Sequence, residues 1–437
     1  MSVLTFKGGI HPKDGKELSK KSAIQKYIPK GEIAIPLSQH IGAPAKAVVA
    51  VGDRVLAGQL IGEATGFISA NVHSSVSGTV KKIEQRVVAN GSKVESVIIE
   101  NDNLYEEYVW NLKDYEDMTK EDKRAAIKTA GIVGMGGAGF PTHVKLTPKD
   151  ENAIDYVIVN GAECEPYLTS DYRRMIEEPE ILVEGLKMVL SLFDNAKGII
   201  AVEDNKLDAV IALKRLVKSE KNIDVKAVYT KYPQGGERAL INAVTGRTVN
   251  SSMLPADVGC VVNNVDTIFA VYNILKNHKP LTSRVVTVTG DAVVNPSNFL
   301  VPIGTDVNEL IEAAGGFKKE PEKIICGGPM MGIALFTTNI PVTKGTSAIL
   351  AFMEDEVSKV TSSACINCGR CLSVCPGRVM PARLADYAEH GDMESFVANN
   401  GMECCECGCC SYICPAKRNL TQAIKSMRKD VLASRKK

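Results

Sequence analysis

A chain of 437 residues is long enough for several domains and a substantial buried core, which excludes a small fold held by disulfide staples. A formal net charge of +1, with 24% charged residues, leaves no overall field to draw in nucleic acid or another polyanion. No apolar run approaches the roughly 18 residues that cross a bilayer, and thirteen cysteines with no expected signal peptide point to a reducing, cytoplasmic setting.

Residues 1–30, rich in glycine, lysine and proline, read as an arm that packs on something else. From 31 to 102, short apolar runs alternate with turn signals, as in KAVVAVGDRVLAGQLIGEA, which predicts a compact β domain. The spacing of Gly52–Asp53, Gly58–Gln59 and Ser77–Val80 resembles biotinyl and lipoyl carrier domains, which have a barrel-sandwich fold. Those carriers present a modified lysine at a hairpin tip. Here Gly66 takes that position, so a rigid docking module is expected rather than a swinging arm.

Residues 103–280 change to amphipathic helices separated by short apolar strands, IDYVIVN, GIIAVE and VKAVYT, the pattern of a parallel sheet covered on both faces. Residues 281–352 return to strands around one helical stretch, NELIEAAGG, and predict a small mixed unit of β-grasp type. A polar link opens the cysteine-rich stretch 353–420, where PARLADYAEHGDMESFVANNG predicts two short helices between the cysteine runs. Residues 421–437 form a basic amphipathic tail, read as a solvated helical face or as a patch for anionic lipid or an acidic partner.

Within the α/β stretch, GIVGMGGAGFPTHVK carries Gly134, Gly136 and Gly139 in G-x-G-x-x-G order. The dinucleotide fingerprint needs a strand immediately before it, whereas KEDKRAAIKTAG has a helical pattern and Pro141 follows the loop. An ordinary Rossmann turn is therefore not expected. Close-set glycines still let backbone N–H groups approach a phosphate or a flat ring, which leaves a ligand loop or a helix-packing turn. The strand at 156–160 ends in NGAECEP, and strand C-termini in open α/β sheets are where ligands bind. Glu163 and Glu165 would repel phosphate there, and so would face ribose hydroxyls or a carboxamide unless they form an exposed acidic turn. YPQGGERAL and VVNNVDT add Tyr232, Gly235, Glu237, Asn263, Asn264 and Thr267, in which the asparagines could bond a ligand or cap the following helix.

The cysteines carry the sharpest pattern. Cys365, Cys368, Cys371 and Cys375, followed by Pro376, read C-x2-C-x2-C-x3-C-P, and Cys404, Cys407, Cys410 and Cys414, followed by Pro415, repeat it. Three thiolates on a tight loop hold one iron–sulfur cube while the cysteine before proline reaches a second. That rule assigns Cys365, Cys368, Cys371 and Cys414 to one [4Fe–4S] cluster, and Cys404, Cys407, Cys410 and Cys375 to another. Zinc is the alternative, and its usual spacings differ. Cys405 and Cys409 are left as spare thiols, Cys164, Cys260 and Cys326 as packed ones, and His11, His40 and His73 have no metal-ligand spacing.

Taken in order, GMGGAGFPTHVK, NGAECEP, YPQGGERAL and NNVDT are similar to the ligand segments of the flavin subunit of respiratory complex I, which binds FMN and NADH. The resemblance implies a Rossmann-like domain in which Gly134, Gly136, Gly137, Ala138, Lys145, Asn160, Asn263, Asn264 and Thr267 lie along FMN, with Tyr232 and Gly235 in the same cofactor-binding set. Phe140, Glu163, Glu165 and Glu237 would line NAD(H) and serve its redox exchange. Met135, Ala162 and Gly236 depart from that family, which has arginine, aspartate and glutamate there.

With GGIHP, QHIGAPA, the VHSSVSGTV hairpin, GGPMMG and the paired cysteine runs, the chain from about 4 to 420 resembles the C subunits of Rnf electron-transport complexes. That resemblance implies a multidomain α/β protein with an N-terminal barrel-sandwich domain, an SLBB-like β-grasp unit and a C-terminal helical dicluster ferredoxin domain. It also implies a peripheral subunit on the cytoplasmic side of the cell membrane, docked on the other subunits of a membrane complex that exchanges electrons between NAD(H) and ferredoxin. Two other readings differ in kind. One is a cobalamin-reducing flavoprotein of a microcompartment, in which the carrier-like module is expected after the clusters; the other is a scaffold that wires clusters together without nucleotide chemistry of its own.

Overall fold

The computed structural model describes residues 4–435; positions 1–3 of the expected arm and 436–437 of the expected tail lie outside the described residues. Strands Ile223–Val228, Lys197–Glu203, Tyr156–Gly161 and Cys260–Asn264, in that spatial order, form a parallel sheet. Side-chain alternation explains why these strands read as almost continuous apolar runs. Val157 and Val159 join a core with Leu182, Leu186 and Ile268 on one face, while Ile158 and Val262 join Leu240 and Ile241 on the other. Helices Pro179–Leu190 and Val265–Asn277 cover the first face and Glu237–Thr245 the second. All four strands therefore open their C-terminal ends on the same edge.

Residues 32–101 fold as two antiparallel sheets. Glu32–Pro36, Lys93–Asn101, Gly78–Val87 and Arg54–Val55 make one, and Lys46–Ala47, Leu60–Glu63 and Val72–His73 the other. Ile33, Ile35, Val55, Ile61, Val72 and Val80 fill the space between them. Gly66 is exposed at the expected tip, and Phe67 beside it is 79% exposed. A third, mixed sheet holds Ser297–Pro302, Ser283–Thr289, Ala348–Phe352, Lys323–Cys326 and Ile333–Ala334, with helix Val307–Ala313 packed over Val286, Phe299 and Ile349.

The N-terminal arm is stitched through the other units. Leu4 bridges Val228 on the parallel sheet, and Ile24–Lys26 adds a parallel edge strand to Ser297–Pro302 of the mixed sheet. Between those points Ile10 and Tyr232 exchange both backbone hydrogen bonds, at 2.8 and 2.9 Å, and the Gly9 N–H donates to the Val374 carbonyl at 2.8 Å. A Cβ on Gly8 would stand 2.9 Å from the Val374 carbonyl oxygen, and one on Gly9 would stand 2.8 Å from that of Tyr232. Both glycines also sit at φ near +90°. Only bare backbone fits in this slot between the parallel-sheet domain and the cysteine-rich domain.

The cysteine-rich domain contains the two helices expected between the cysteine runs, Pro381–Glu389 and Met393–Ala398. It does not end at residue 420. Helix Leu420–Ser434 buries Leu420, Ile424, Met427 and Val431 against Leu384 and Phe396, so the apolar stripe of the basic tail forms half of this domain's core while Lys425 and Lys429 face outward. Truncating a buried isoleucine loses transfer free energy and leaves a cavity. Ile424→Ala is therefore expected to cost about 3 kcal/mol, read as a lower urea midpoint by circular dichroism, whereas Lys425→Ala on the outer face should leave the midpoint in place.

Candidate functional site

At the C-terminal edge of the parallel sheet lies a cleft of about 630 Å³ walled by three domains. Gly136, Gly137, Ala138, Asn160, Gly235 and Asn264 contribute one wall, Gln39 to Ile41 of the barrel-sandwich domain a second, and Gly327, Gly328 and Met331 of the mixed-sheet domain a third. The glycine loop follows helix Lys120–Thr129 and is closed by the Gly134 N–H donating to the Phe140 carbonyl at 2.8 Å. Its crest is pinned from behind, because the Met135 N–H donates to Thr267 Oγ1 at 3.0 Å. A Cβ on Gly137 would meet nothing within 4 Å, whereas one on Gly136 would stand 2.9 Å from the Asn264 side chain. The crest thus offers unobstructed backbone to a flat ligand, as a flavin ring would require.

The amides around it are held firmly. Asn160 Nδ2 donates to the Gly235 carbonyl at 2.8 Å. Asn264 Oδ1 accepts the Asp266 N–H at 2.8 Å as a helix cap, and its Nδ2 donates to Asp171 Oδ2 at 2.6 Å. Asp171 walls the cleft as well, and burial, with Glu163 and Asp266 nearby, holds its carboxyl well above the ordinary carboxylate range. Sequence reasoning missed Asp171, whose only signal is an acid at the start of the helix after NGAECEP.

The acidic turn is neither exposed nor free. Glu163, at φ 48°, accepts the Asp171 N–H on Oε1 at 2.7 Å, and its Oε2 stands 3.8 Å from the Nζ of buried Lys16. Lys16 Nζ also donates to the carbonyls of Glu163 and Glu165 at 2.9 Å each and of Leu168 at 2.5 Å. Burial lowers the Lys16 amine and raises the Glu163 carboxyl. Glu165 accepts the N–H groups of Met330 and Met331 at 3.0 and 2.8 Å, fastening the mixed-sheet domain to this turn. Burial pushes its carboxyl up to about 7 despite those two donors.

Beneath the cleft, buried Ile10, Tyr232 and Cys409 form an apolar bridge, with Cys164 of the cleft wall, Met330, Val374 and Cys407 packed against it. Cys409 Sγ lies 3.8 Å from the Tyr232 carbonyl. One expected spare thiol is therefore a packed link between the cleft and the cysteine loops.

Those loops are conformational copies. Asn367 and Gly369 of the first run and Glu406 and Gly408 of the second all have positive φ, as do Arg378 and Lys417 three residues beyond each proline-adjacent cysteine. Gly369 and Gly408 each precede a short helix, Arg370–Ser373 and Cys409–Ile413. Cys365, Cys368, Cys371 and Cys414 surround a cavity of about 220 Å³, the grouping that crossed ligation requires, in a space suited to a cube. Cys375, Cys404 and Cys410 pack on the domain core, where burial raises all three thiols, Cys404 up to about 12. No group of three or more His, Cys, Asp or Glu among the described residues is arranged to hold a single metal ion.

Not every expected residue reaches the cleft. Lys145 Nζ donates to the Val262 carbonyl at 2.8 Å and pairs with Glu237 at 3.3 Å, and neither side chain walls the cleft. Asn263 and Thr267 are buried behind the glycine loop, Tyr232 belongs to the bridge, and Gly134 and Phe140 form the neck of the loop. Of the departures from the complex I pattern, Ala162 is buried away from the cleft, whereas Met135 lines it and leaves an apolar wall where that family has arginine.

Residues 4–104 match the RnfC barrel sandwich hybrid domain, 127–273 the Nuo51 FMN-binding domain and 285–334 the SLBB domain. The chain is 45% identical to the C subunit of the Na(+)-translocating ferredoxin:NAD(+) oxidoreductase complex of Acetobacterium woodii, over 99% of this chain and 98% of that protein. It is 43% identical to the C subunit of the proton-translocating ferredoxin:NAD(+) oxidoreductase complex of Clostridium ljungdahlii, over 87% and 84% respectively. It is also 38% identical to the C subunit of the ion-translocating oxidoreductase complex of Rhodobacter capsulatus, over 90% and 77%. Among solved structures, the NAD+-reducing [NiFe]-hydrogenase in the H2-reduced state shares the fold, with a TM-score of 0.50 and 19% identity over 72% of this chain and 61% of that one.

The raised Glu165 carboxyl has a testable sign. Its pKa moves from 4.5 to about 7 on folding, so the folded protein holds the extra proton across that window. The associated stability is complete below about pH 4.5 and is lost as pH rises through about 7. Thermal melts from pH 5 to 8 should fall along this slope, and Glu165→Gln should flatten it.

Proposed function

Because the chain belongs to the family of C subunits of ion-translocating ferredoxin:NAD(+) oxidoreductase complexes, we propose that it relays electrons between NAD(H), bound with FMN in the three-domain cleft, and a redox partner that meets its two [4Fe–4S] clusters. When bound, flavin exchanges a hydride with nicotinamide and single electrons with iron–sulfur clusters, chemistry that the cofactors bring and the chain positions. The observation that carries this reading is the buried bridge of Tyr232 and Cys409, which joins the cleft to the second cysteine loop.

The chain's own contribution is placement. Gly136 and Gly137 let the ring rest on backbone, and Asn160 and Asn264, each held by a second partner, present fixed amide edges. Asp171 keeps its raised carboxyl in the cleft wall, and Lys16 holds the Glu163–Leu168 turn as a rigid floor. Glu163 and Glu165 act as braces of that floor more than as free ligands. Lys145 and Glu237 reach a nucleotide only if their ion pair opens.

The crossed cysteine sets hold one cluster against the bridge, by Cys404, Cys407, Cys410 and Cys375, and one toward the outside, by Cys365, Cys368, Cys371 and Cys414. Electrons entering at the cleft would meet the inner set first. Among the described residues no helix is long and apolar enough to cross a membrane. In this reading attachment to the cytoplasmic side of the membrane comes through the other subunits, with ferredoxin served directly or through one of them.

Two variants test the cofactor assignments. Gly137→Val puts a side chain into open cleft space, so the melting temperature should hold while FMN per chain falls at least about tenfold and NADH no longer bleaches the flavin band. Unchanged flavin content would remove the loop from the binding site. For the crossed ligation, Cys368→Ala and Cys414→Ala should abolish the same low-temperature EPR signal and half the iron, while Cys375→Ala abolishes the other signal.

A further inference from the structure

We propose that Arg284, with the loop from Thr343 to Ser347 beside it, is a phosphate seat in the three-domain cleft, holding a phosphate group of a bound nucleotide. This rests on the reading of the cleft as a nucleotide site and adds where a phosphate goes and which groups receive it.

The cleft wall is poor in cations. Among the described residues that line it, Glu163, Glu165 and Asp171 carry carboxyls, and Arg284 is the one lysine or arginine. His40 also lines it, but burial lowers its imidazole to about 4, so the ring stands neutral. Burial raises all three carboxyls, yet neither an ionised nor a neutral carboxyl gives a phosphate the charge that would replace its lost hydration. Only the Arg284 end of the cleft can.

Arg284 stands in strand Ser283–Thr289 and is 2% exposed. Its Nε donates to the Val285 carbonyl at 3.3 Å, and its Nη1 to the carbonyls of Lys344 at 2.5 Å and Met135 at 3.5 Å. Nη2 has no hydrogen-bond partner, and the guanidinium no carboxylate in salt-bridge contact, among the described residues. Asp171 and Asp266 act on it only through space. Burial opposes its charge, but a guanidinium does not give up its proton in a protein. An enclosed cation without a counter-ion is costly to keep, and an anion in the cleft offsets that cost.

The neighbouring loop suits the same guest, and the bond to the Lys344 carbonyl sets the guanidinium directly on it. Ser347 lines the cleft half-buried, and its hydroxyl has no partner among the described residues. Thr343 and Thr346 hold each other's hydroxyls at 3.1 Å, which fixes the turn. Gly345 between them is exposed, and a Cβ there would meet nothing nearer than 3.9 Å. A planar guanidinium, a free hydroxyl and open backbone in one wall are a donor set that phosphate oxygens accept from.

The test uses the full chain, prepared anaerobically with its clusters in place. Calorimetry reads two preferences: FMN over riboflavin in flavin-free protein, and ADP over adenosine in FMN-loaded protein. The members of each pair differ only in phosphate. Arg284→Met removes the guanidinium and keeps an apolar stem, while Arg284→Lys keeps a point charge. In Arg284→Met one of the two preferences should fall at least about tenfold, with part of it recovered in Arg284→Lys, while the phosphate-free member binds as before within about twofold. A lost preference for FMN assigns the seat to the flavin's phosphate, and a lost preference for ADP assigns it to the dinucleotide's. Ser347→Ala should lower the same preference about threefold, and it decides the matter if thermal melting shows that Arg284→Met does not fold. An equal loss for both members of a pair would mark a merely structural arginine and overturn the proposal. If the wild type binds neither FMN nor ADP, the nucleotide reading fails and the seat with it. If it binds both and the folded variants leave both preferences unchanged within about twofold, the seat alone falls.

Discussion

The ammonium of Lys16 is the point on which the site depends. It lies in the N-terminal arm, fully enclosed, and donates to three carbonyls of the turn that ends the strand Tyr156–Gly161. A buried cation without compensation costs several kcal/mol, so the turn must keep those carbonyls converged on it. That convergence fixes Glu163 and Glu165, and Glu165 in turn captures the Met330 and Met331 N–H groups. A single enclosed charge thereby sets the position of the parallel sheet's edge, the mixed sheet and the arm relative to one another.

A second enclosed lysine does the same on the far side. Lys344 Nζ donates to the carbonyls of Asn71 and Gly131, and its N–H donates to Gln39 Oε1, so the mixed-sheet domain holds the barrel-sandwich domain and the end of the glycine loop's leading helix together. Burial lowers its amine to about 7. Arg284, also enclosed, reaches the carbonyls of Lys344 and Met135 from the mixed sheet. The cleft is therefore a seam between domains, kept at fixed width by charged side chains that satisfy backbone carbonyls in places no strand pairing could reach.

Much of this is legible in the sequence where the signal is local. The cysteine spacing fixes loop geometry within a few residues, and the matching positive-φ positions in the two runs are its structural counterpart. The parallel strands announce themselves because both faces are covered, and helices Pro381–Glu389 and Met393–Ala398 because their apolar period is regular. What stays hidden depends on long-range partners. Nothing in KDGKEL marks Lys16 as enclosed, and Ile24–Lys26 is too short to read as a strand until its neighbour Ser297–Pro302 is known. Basic letters after 420 read as solvent-facing and suggest a boundary there, while the stripe from Leu420 to Val431 completes a core whose other half lies far back in the chain. Lys145 and Glu237 carry the right letters in the right motifs, yet their side chains find each other instead of the cleft.

The strap at Gly8 and Gly9 has a mechanical meaning of its own. Two large bodies meet across it with a single strand of unadorned peptide as the shim, and no thinner separator can be made from a polypeptide chain. Any methyl group there would act as a wedge, prying the cysteine loops off the Tyr232 turn by the width of a carbon atom. In the proposed relay, where electron hopping would weaken steeply with every added ångström, two missing side chains near the start of the chain are what keep that gap narrow.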